Sequence, residues 1–453
     1  MAHFRFINEI KELMAQTFGL DAEAYTSLTT VEDETSFVTK DGGLMSLLPL
    51  RGHRQIVGVE ELARLTDQLL SLLGSLLAGD ERHLVDVVFS SDPARTPEAI
   101  QKLLEPGAGT ATRIGLDLRD LMTERVRHLP AYTHTEVVYL ILWTTPLGLP
   151  SSTRRQAARE RRREMAQWPT PPELTRDNQD PFACNRYLAD PHRSVVKTLV
   201  NDLRAAGFDL EVAPVAEACR RLRFEADPDW TPADWRPLLP GAGWPAPRVS
   251  PDGGVSAAGC WFPAFGSQLF PRGMEIVDYR TLRVGDRLYQ PFFVDLPQLT
   301  EMQRFERLLD RVRQQRLPWR LLIRLGGGAG AWLTARRRWT GLLHFAGSTN
   351  KLIDASVQAL RRYLNEGHVG VTVQMALTSW VSTLEEAPRG HSHREELRAR
   401  TAYLAAAVQS WGGCTVRQAS GNPVKAWVST LPGMSQLNIA TRYAAPLRDV
   451  LKT

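Results

Sequence analysis

The sequence predicts a mixed fold, α/β to α+β, with two mixed-sheet subdomains that carry packed helices and are joined through an irregular Pro/Trp-rich segment. Strand-length apolar segments alternate with stretches in which apolar residues recur every three or four positions. The length of 453 residues also exceeds what one compact core usually holds. Residues 226–274 are crowded with Pro, Gly and Trp, which predicts packed irregular chain between two regular regions.

These patterns divide the chain into five parts. We expect an N-terminal amphipathic helix and lead-in at 1–30, a first α/β subdomain at 31–225, the irregular excursion at 226–274, a second α/β subdomain at 275–445, and the start of a linker at 446–453.

The first subdomain opens with a hairpin. Residues 37–50 read FVTKDGGLMSLLPL, two apolar segments around a turn whose glycines tolerate positive φ. Leucines at three- and four-residue spacing then predict a strongly amphipathic helix at 59–77. The same reasoning predicts buried strands at 84–89 and 135–144, and helices at 97–103, 115–128, 154–167, 192–206 and 212–223.

The second subdomain opens with the clearest local signal in the chain. Residues 279–297 read YRTLRVGDRLYQPFFVDLP, a strand, the turn pair Gly285-Asp286 and a second strand. We expect a structural hairpin in which Phe292, Phe293 and Val294 are buried. Periodicity predicts helices at 300–315, 349–366 and 395–411, strands at 319–325, 369–378 and 414–418, and a further element at 422–430.

Composition narrows the class of protein. Hydrophobic residues make up 43% and charged residues 23%, which is ordinary for a soluble globular chain. The four cysteines are at least 35 residues apart, so no metal knuckle or CxxC pair is formed by adjacent spacing. The first residues interleave charges with apolar positions, which excludes a signal peptide. No apolar run is long enough to span a bilayer. We therefore expect a cytoplasmic chain without a transmembrane segment.

One glycine-rich stretch is a candidate for a nucleotide-binding loop. Gly326-Gly327-Gly328-Ala329-Gly330 follows the strand LLIRL, as a phosphate-binding loop would. Such a loop needs a Lys followed by Ser or Thr to reach phosphate and magnesium, and Trp332-Leu333-Thr334 stands there instead. The dinucleotide-binding pattern lacks its third small residue. We interpret this stretch as a loop that joins a strand to a helix.

Other catalytic and metal-binding signatures are missing from the sequence. His391-Ser392-His393 offers two imidazoles, but no carboxylate or histidine follows at a zincin spacing, so we interpret it as a loop that opens a helix. There is no GxSxG elbow and no cysteine in a nucleophile pattern. The sequence predicts no catalytic, cofactor-binding or metal-ligating residue.

Basic charge is concentrated in one predicted helix. The chain has a net charge of +5, and residues 154–164 hold six Arg against two Glu. Such a helix can contact nucleic-acid phosphates, anionic lipid headgroups or an acidic protein face, although most charge runs are solvated helix faces. Arg336, Arg337 and Arg338 raise the same question. The candidate contact patch consists of Arg154, Arg155, Arg159, Arg161, Arg162 and Arg163.

The order of three motifs resembles a known family. They are the hairpin TKDGGLMSLLPLRG with its following helix, TLRVGDRLYQPFFVDLP with its helix, and VRQASGNPVKAWVSTLPG. Over residues 30–440 the chain is similar to the N-terminal region of the VirB/TrbE/CagE-type ATPase of type IV secretion and conjugation systems. It is nearest to the DotO/IcmB and IncI TraU-like branch.

The resemblance implies a function without catalysis by this chain. In that family the Walker motifs follow the LPG element, in a C-terminal RecA-like domain, and this sequence ends at Thr453 with no GxxxxGK[ST]. Residues 446–453 would then begin the linker to a missing ATPase domain, in which alone ATP and Mg are expected. The implied role is docking and assembly at the cytoplasmic face of the bacterial inner membrane.

The partners implied are inner-membrane subunits of the secretion channel and other ATPase subunits, with homo-oligomers in the full-length protein. An alternative hypothesis is a nucleic-acid-binding accessory protein that uses the arginines of residues 154–163. A conventional metabolic enzyme is a distant third.

Overall fold

The computed structural model describes most of the chain. Several sequence predictions lie outside the described residues: the N-terminal amphipathic helix, residues Arg336, Arg337, Arg338 and His391, and most of the helix predicted at 349–366. The described residues are 21–79, 81–167, 178–240, 262–296, 304–334, 358, 360–384, 392–411, 414–419 and 422–452.

Thirteen strands are found within those residues. They are β1 (Leu28–Val31), β2 (Phe37–Thr39), β3 (Leu44–His53), β4 (His83–Ser91), β5 (Glu136–Thr144), β6 (Phe208–Leu210), β7 (Met274–Ile276), β8 (Leu282–Val284), β9 (Arg287–Asp295), β10 (Trp319–Gly326), β11 (Gly370–Ser382), β12 (Thr415–Gln418) and β13 (Tyr443–Pro446).

The strands alternate with α-helices. These are α1 (Ala22–Tyr25), α2 (Val59–Leu77), α3 (Thr96–Arg113), α4 (Arg119–His128), α5 (Ser151–Gln167), α6 (Arg186–Ala205), α7 (Val215–Ala226), α8 (Phe265–Leu269), α9 (Phe305–Gln314), α10 (His393–Gln409), α11 (Pro423–Val428) and α12 (Leu447–Lys452). Residues 329–334 and 360–365 are also helical.

All described strands belong to one sheet, and every pairing among them is antiparallel. The main order is β1-β2-β3-β5-β4-β10-β11-β9-β8-β7, while β6 pairs with β3, β12 with β9 and β13 with β11. The two halves of the chain meet where β4 pairs with β10, and Phe89 lies opposite Leu321 near the middle of this pairing. Each half of the chain therefore supplies half of one continuous sheet.

The strand order has an approximate twofold symmetry about the β4–β10 pairing. Each half runs hairpin, helix, central strand and second central strand, and β9, β10 and β11 occupy the places of β3, β4 and β5. The short strands β6 and β12 each follow a long helix and pair with the residue that comes directly after a proline in the neighbouring strand. Leu210 of β6 lies opposite Leu50 of β3, and Gln418 of β12 lies opposite Phe292 of β9. The two halves thus share one topology.

Helices cover both faces of the sheet, so the fold has three layers. On one face Leu222 of α7 and Trp427 of α11 pack with residues such as Met45 and Tyr289. On the other face helices α2, α6, α9, α10 and α12 contribute to a second core, which includes Leu404. Apolar burial on both faces is the main stabilising term expected for this architecture.

The mixed α/β class is confirmed, with one correction to its detail. The sequence predicted two sheets of mixed direction, whereas the strands form a single antiparallel sheet. The physical reason is that β4 and β10 would each end a half-sheet with unpaired backbone groups, and pairing these two edges satisfies them. The predicted subdomain boundaries stay predictions.

The hairpin predicted within residues 279–297 is confirmed for the part that the structure describes, with strands at 282–284 and 287–295. Strands β8 and β9 flank Gly285, whose φ of 54° lies in the left-handed region that glycine adopts readily. Phe292, Phe293 and Val294 are all buried. They split between the two faces of β9, as alternation along a strand requires, so this strand contributes to both layers of core.

Candidate functional site

The predicted basic helix is observed as α5, and its arginines differ in exposure and in ion pairing. None of its side chains is buried. Arg161 is only half-exposed because it forms an ion pair with Asp180, so it acts in structure rather than as a free contact. The other five patch arginines are exposed: Arg154, Arg155, Arg159, Arg162 and Arg163.

The two glutamates of α5 fix which way the arginines face. The Tyr187 hydroxyl donates to Glu160 at 2.9 Å, and Arg186 forms an ion pair with Glu164, so both contacts lead to the start of α6. Positions 155, 159 and 162 are four and three residues apart and share one side of the helix. An outward arginine face remains.

Two other motifs have the structural roles that the sequence suggested. Strand β10 ends at Gly326 and helical residues 329–334 follow, so the glycine-rich stretch joins a strand to a helix. Ser392 caps α10 in a reciprocal capping box with Glu395. No group of three potential metal ligands occurs among the described residues.

A buried serine and histidine also lie together without forming a reactive pair. Ser46 Oγ is 3.0 Å from His192 Nε2, and Thr144 Oγ1 is 2.7 Å from His192 Nδ1. Ser46 and His192 are both fully buried between the sheet and α6. Burial lowers the pKa of His192 to about 4, so the imidazole is neutral near pH 7. We interpret this cluster as structural.

The structure contains a large cleft that sequence analysis did not identify. It lies at the shared end of the central strands and has a volume of about 1160 Å³. Its walls are α7, the start of α3, residues 228–233 and the ends of β10 and β11. An inner chamber of about 170 Å³ adjoins it and reaches Arg320 and Tyr289.

Charged side chains dominate the walls of this cleft. Cleft and chamber together are lined by eight Lys and Arg side chains but four Asp and Glu. Arg287 connects two of the acids, at 2.9 Å from Asp92 and 2.8 Å from Asp229. Burial favours the neutral acid, yet the hydrogen bonds from Arg287 hold the pKa of Asp229 below its usual value. The cleft therefore has a positive excess.

Glu225 of α7 is the acid at the inner end of the cleft. Its Oε2 accepts a hydrogen bond of 2.7 Å from Nη2 of Arg320, and its Oε1 accepts one of 3.3 Å from Tyr139. Ser90 donates to Oε2 at 3.4 Å. Burial, reinforced by the Glu225 carboxylate, raises the pKa of the Tyr139 phenol, so this hydroxyl is a donor throughout the physiological range. Glu225 is thus held by three donors.

A second buried arginine lies four residues further along the same face of β10. Arg324 donates to both carboxylate oxygens of Asp86, at 2.6 and 2.7 Å, and to the carbonyls of Ser435 and Gln436. Asp86 also accepts 2.8 Å from Trp143 Nε1. The Arg324 guanidinium and the Asp86 carboxylate therefore both have their hydrogen-bond partners within the protein.

A third feature is a helical hairpin formed by α3 and α4. These helices pack on each other, and α4 contributes no buried residue. The turn between them exposes Ile114 by 68% and Leu116 by 54%. Further exposed apolar side chains on the hairpin and just beyond it are Leu103, Leu121, Leu129 and Tyr132.

No protein-family model matches the chain, and a search of curated proteins finds no match either.

Within the part of the chain that the structure describes, no helix is both long and apolar enough to cross a membrane. The cleft had one local signal in the sequence, namely Arg320 in the otherwise apolar start of the strand WRLLIRLG.

Proposed function

We propose that the chain is a non-catalytic docking and assembly domain of a type IV secretion ATPase, which links the cytoplasmic motor to the inner-membrane channel complex. The motif order over residues 30–440 supports this proposal. The observation that carries it in the structure is the α3–α4 hairpin, because it presents apolar side chains to solvent.

The chemistry of the hairpin suits a protein partner. Residues 96–132 contain five Lys and Arg and five Asp and Glu, so the segment has no net charge to attract phosphates. Clustered exposed apolar side chains mark interaction surfaces more often than isolated ones do. Leu104 and Met122 are only half-exposed, since the two helices pack together. The tip, Ile114 and Leu116, is therefore the expected contact point.

A capture experiment tests this function. Tagged full-length wild type, chemically crosslinked in cells of its source bacterium, is expected to retain integral inner-membrane secretion subunits. Ile114→Ser with Leu116→Ser should reduce their yield about tenfold, since a central apolar contact is worth about 1.4 kcal/mol or more. The matched control is Ile56→Ser, a fully exposed apolar residue outside the hairpin.

Three outcomes would contradict the docking function. One is equal recovery of the same subunits by the tip variant and wild type. Another is ATP hydrolysis by this chain that survives removal of contaminating enzymes. Binding of wild type to protein-free lipid vesicles, lost in the tip variant, would assign the hairpin to a membrane surface and also refute it.

The alternative function is nucleic-acid binding by α5. The observation that favours it is the exposed arginine face at positions 155, 159 and 162. In a duplex-DNA titration, Arg159→Gln with Arg162→Gln should lower the slope of log K against log salt by about two, if each arginine meets one phosphate. Arg64→Gln with Arg398→Gln, two exposed arginines on other helices, is the control. An unchanged slope removes this alternative.

A further inference from the structure

Arg320 borders the inner chamber and carries hydrogen-bond donors without an acceptor among the described residues. The Arg320 side chain is only 3% exposed, and its Nη2 donates to the carboxylate and the carbonyl of Glu225. Its Nε and Nη1 are buried and have no hydrogen-bond partner among the described residues. A buried unpaired donor costs about 1–3 kcal/mol, and native proteins retain few of them. An acceptor within reach of Nε and Nη1 would therefore stabilise this arginine.

The space beside Arg320 is large enough for that acceptor. The inner chamber of about 170 Å³ is lined by Arg320 and opens into the larger cleft. One water molecule occupies roughly 30 Å³ in the liquid, so the chamber holds several waters or one tetrahedral oxyanion. Four cationic side chains line it against three carboxylates: Arg95, Lys102, Arg287 and Arg320 against Asp92, Glu98 and Glu225.

The cleft outside the chamber favours a negatively charged ligand. Arg220 donates to the carbonyl of Ala233 at 3.0 Å, and Arg316 donates to the carbonyl of Pro130. Because these contacts are to neutral backbone carbonyls, both arginines leave their charge available to the cleft. Guanidinium groups recognise phosphate particularly well, because their planar donors match its oxygen atoms.

The backbone at Arg316 adds a separate observation. Arg316 follows α9 with a φ of 52°, and within the described residues it is the one non-glycine residue with a left-handed φ. This position after a helix is usually glycine, because a Cβ there costs about 1–2 kcal/mol. Strained residues cluster at functional sites. Here the strained position carries a side chain that lines the cleft.

From these observations we infer that the cleft binds a phosphate-bearing small molecule, with its phosphate group in the inner chamber on Nε and Nη1 of Arg320. Arg220 and Arg316 attract and hold the ligand at the outer wall. The cleft of about 1160 Å³ is much larger than one phosphate, so the rest of the ligand lies between α7 and the end of β11. The proposal is independent of docking by the hairpin tip.

Isothermal titration calorimetry on the full chain tests this site. The probes are inorganic phosphate, glycerol 3-phosphate and citrate at constant ionic strength, which separate the free ion, a phosphate ester and a carboxylate. Wild type is expected to bind glycerol 3-phosphate with a saturable isotherm. Arg320→Met should raise the Kd at least tenfold and Arg220→Gln three- to tenfold, while Arg64→Gln leaves it within twofold of wild type.

Arg220 is exposed, so Arg220→Gln tests the site even if a variant of buried Arg320 folds poorly. Saturable binding of inorganic phosphate at the same site supports recognition of the phosphate group, and shows that the free ion binds without the rest of the ligand. No saturable heat with either phosphate probe up to 10 mM overturns the proposal. Tighter binding of citrate than of both phosphates, or an unchanged Kd in Arg320→Met and Arg220→Gln, overturns it as well.

Discussion

Arg320 and Arg324 occupy nearly equivalent places and are treated differently by the fold. Both lie on the same face of β10, and each side chain is 3% exposed. Each has a buried carboxylate partner and lies about the same distance from a tryptophan ring, 5.7 Å from Trp380 and 5.6 Å from Trp143. Only Arg324 has protein acceptors at Nε, Nη1 and Nη2.

The difference separates a structural ion pair from one that is open to a ligand. Arg324 lies beneath the chain segment at Ser435, whose carbonyl it binds, and no cleft reaches it among those described. Arg320 borders the inner chamber, and its remaining donors have no acceptor. A buried charge is tolerated when it is fully paired, so the two arginines should respond differently to substitution and to added phosphate.

The largest loss of stability is expected at the ion pair of Arg324 and Asp86, which we call the saturated pair because protein groups accept from all three guanidinium nitrogens. Asp86→Ala removes the acceptor for Arg324 and for Trp143 Nε1, and leaves a buried guanidinium without its counter-charge. Breaking such a pair costs about 3–5 kcal/mol. Urea denaturation at pH 7 measures the loss. A cost below about 1 kcal/mol would show that water reaches Arg324, and the distinction between the two pairs would fail.

Replacing both partners should cost less than replacing one. Asp86→Leu combined with Arg324→Leu removes both buried charges together, which often restores much of the stability. The recovery here is expected to be partial, because Trp143 Nε1 and the carbonyls of Ser435 and Gln436 lose their partners. A double variant less stable than Asp86→Ala alone would contradict the assignment.

The next largest effect concerns a buried group on the opposite face. Burial, and then nearby His83, lower the pKa of His192 to about 4, although Asp33 opposes the shift and Arg193 adds to it. The unfolded chain binds a proton near pH 6.5 and the folded chain does not, so the free energy of unfolding falls as pH drops from 6.5 to 4. The expected loss at pH 4.5 is about 2–3 kcal/mol.

His192→Gln tests the origin of that loss. Glutamine does not titrate, so the variant should show a smaller decrease between pH 7 and pH 4.5 in urea denaturation. The comparison is between two decreases, which cancels the titration of carboxylates common to both proteins. Equal decreases in wild type and His192→Gln would mean that another group causes the acid sensitivity.

A direct comparison of the two arginines comes third. Arg320→Met removes unpaired donors along with the ion pair, and Glu225 keeps Tyr139 and Ser90 as donors. We expect a cost of about 1–2 kcal/mol, against about 3–5 kcal/mol for Arg324→Met. Urea denaturation in phosphate buffer should enlarge the cost at Arg320 and leave that at Arg324 unchanged. Equal costs in both buffers would remove the distinction.

Sequence patterns predicted the elements better than their arrangement. The leucine spacing gives the bounds of α2 without error, and the Gly285-Asp286 turn locates β8 and β9. The β4–β10 pairing joins segments more than 200 residues apart, and no local pattern records it. The prediction at 97–103 stopped short because α3 continues through Pro106.

The candidate sites were predictable to different extents. A run of arginines is visible in the sequence, so the exposed face of α5 could be proposed before the fold was known. The cleft depends on Glu225, Arg287 and Arg320, which are far apart in sequence and meet only through the sheet pairing. Charged residues inside apolar strands are the one local sign, and alone they do not reveal which has an unused donor.

The smallest expected effect is a gain in stability at the mouth of the cleft. Arg316→Gly relieves the left-handed backbone strain but increases the freedom of the unfolded chain, so the net gain is about 0.5–1 kcal/mol. The same variant removes a cationic side chain from the outer wall and should raise the Kd for glycerol 3-phosphate. Stability and binding would then change in opposite directions, as expected where strain serves function.

Arg316→Ala separates the two contributions, because alanine keeps the strained backbone and loses the charge. It should weaken phosphate binding as much as Arg316→Gly does, yet unfold at a urea concentration no higher than wild type. The hydrogen bond to Pro130 is lost in both variants and cancels in the comparison. If glycine and alanine give equal stability, position 316 is unstrained, and only the orphaned donors of Arg320 still distinguish the cleft from the saturated pair at Arg324.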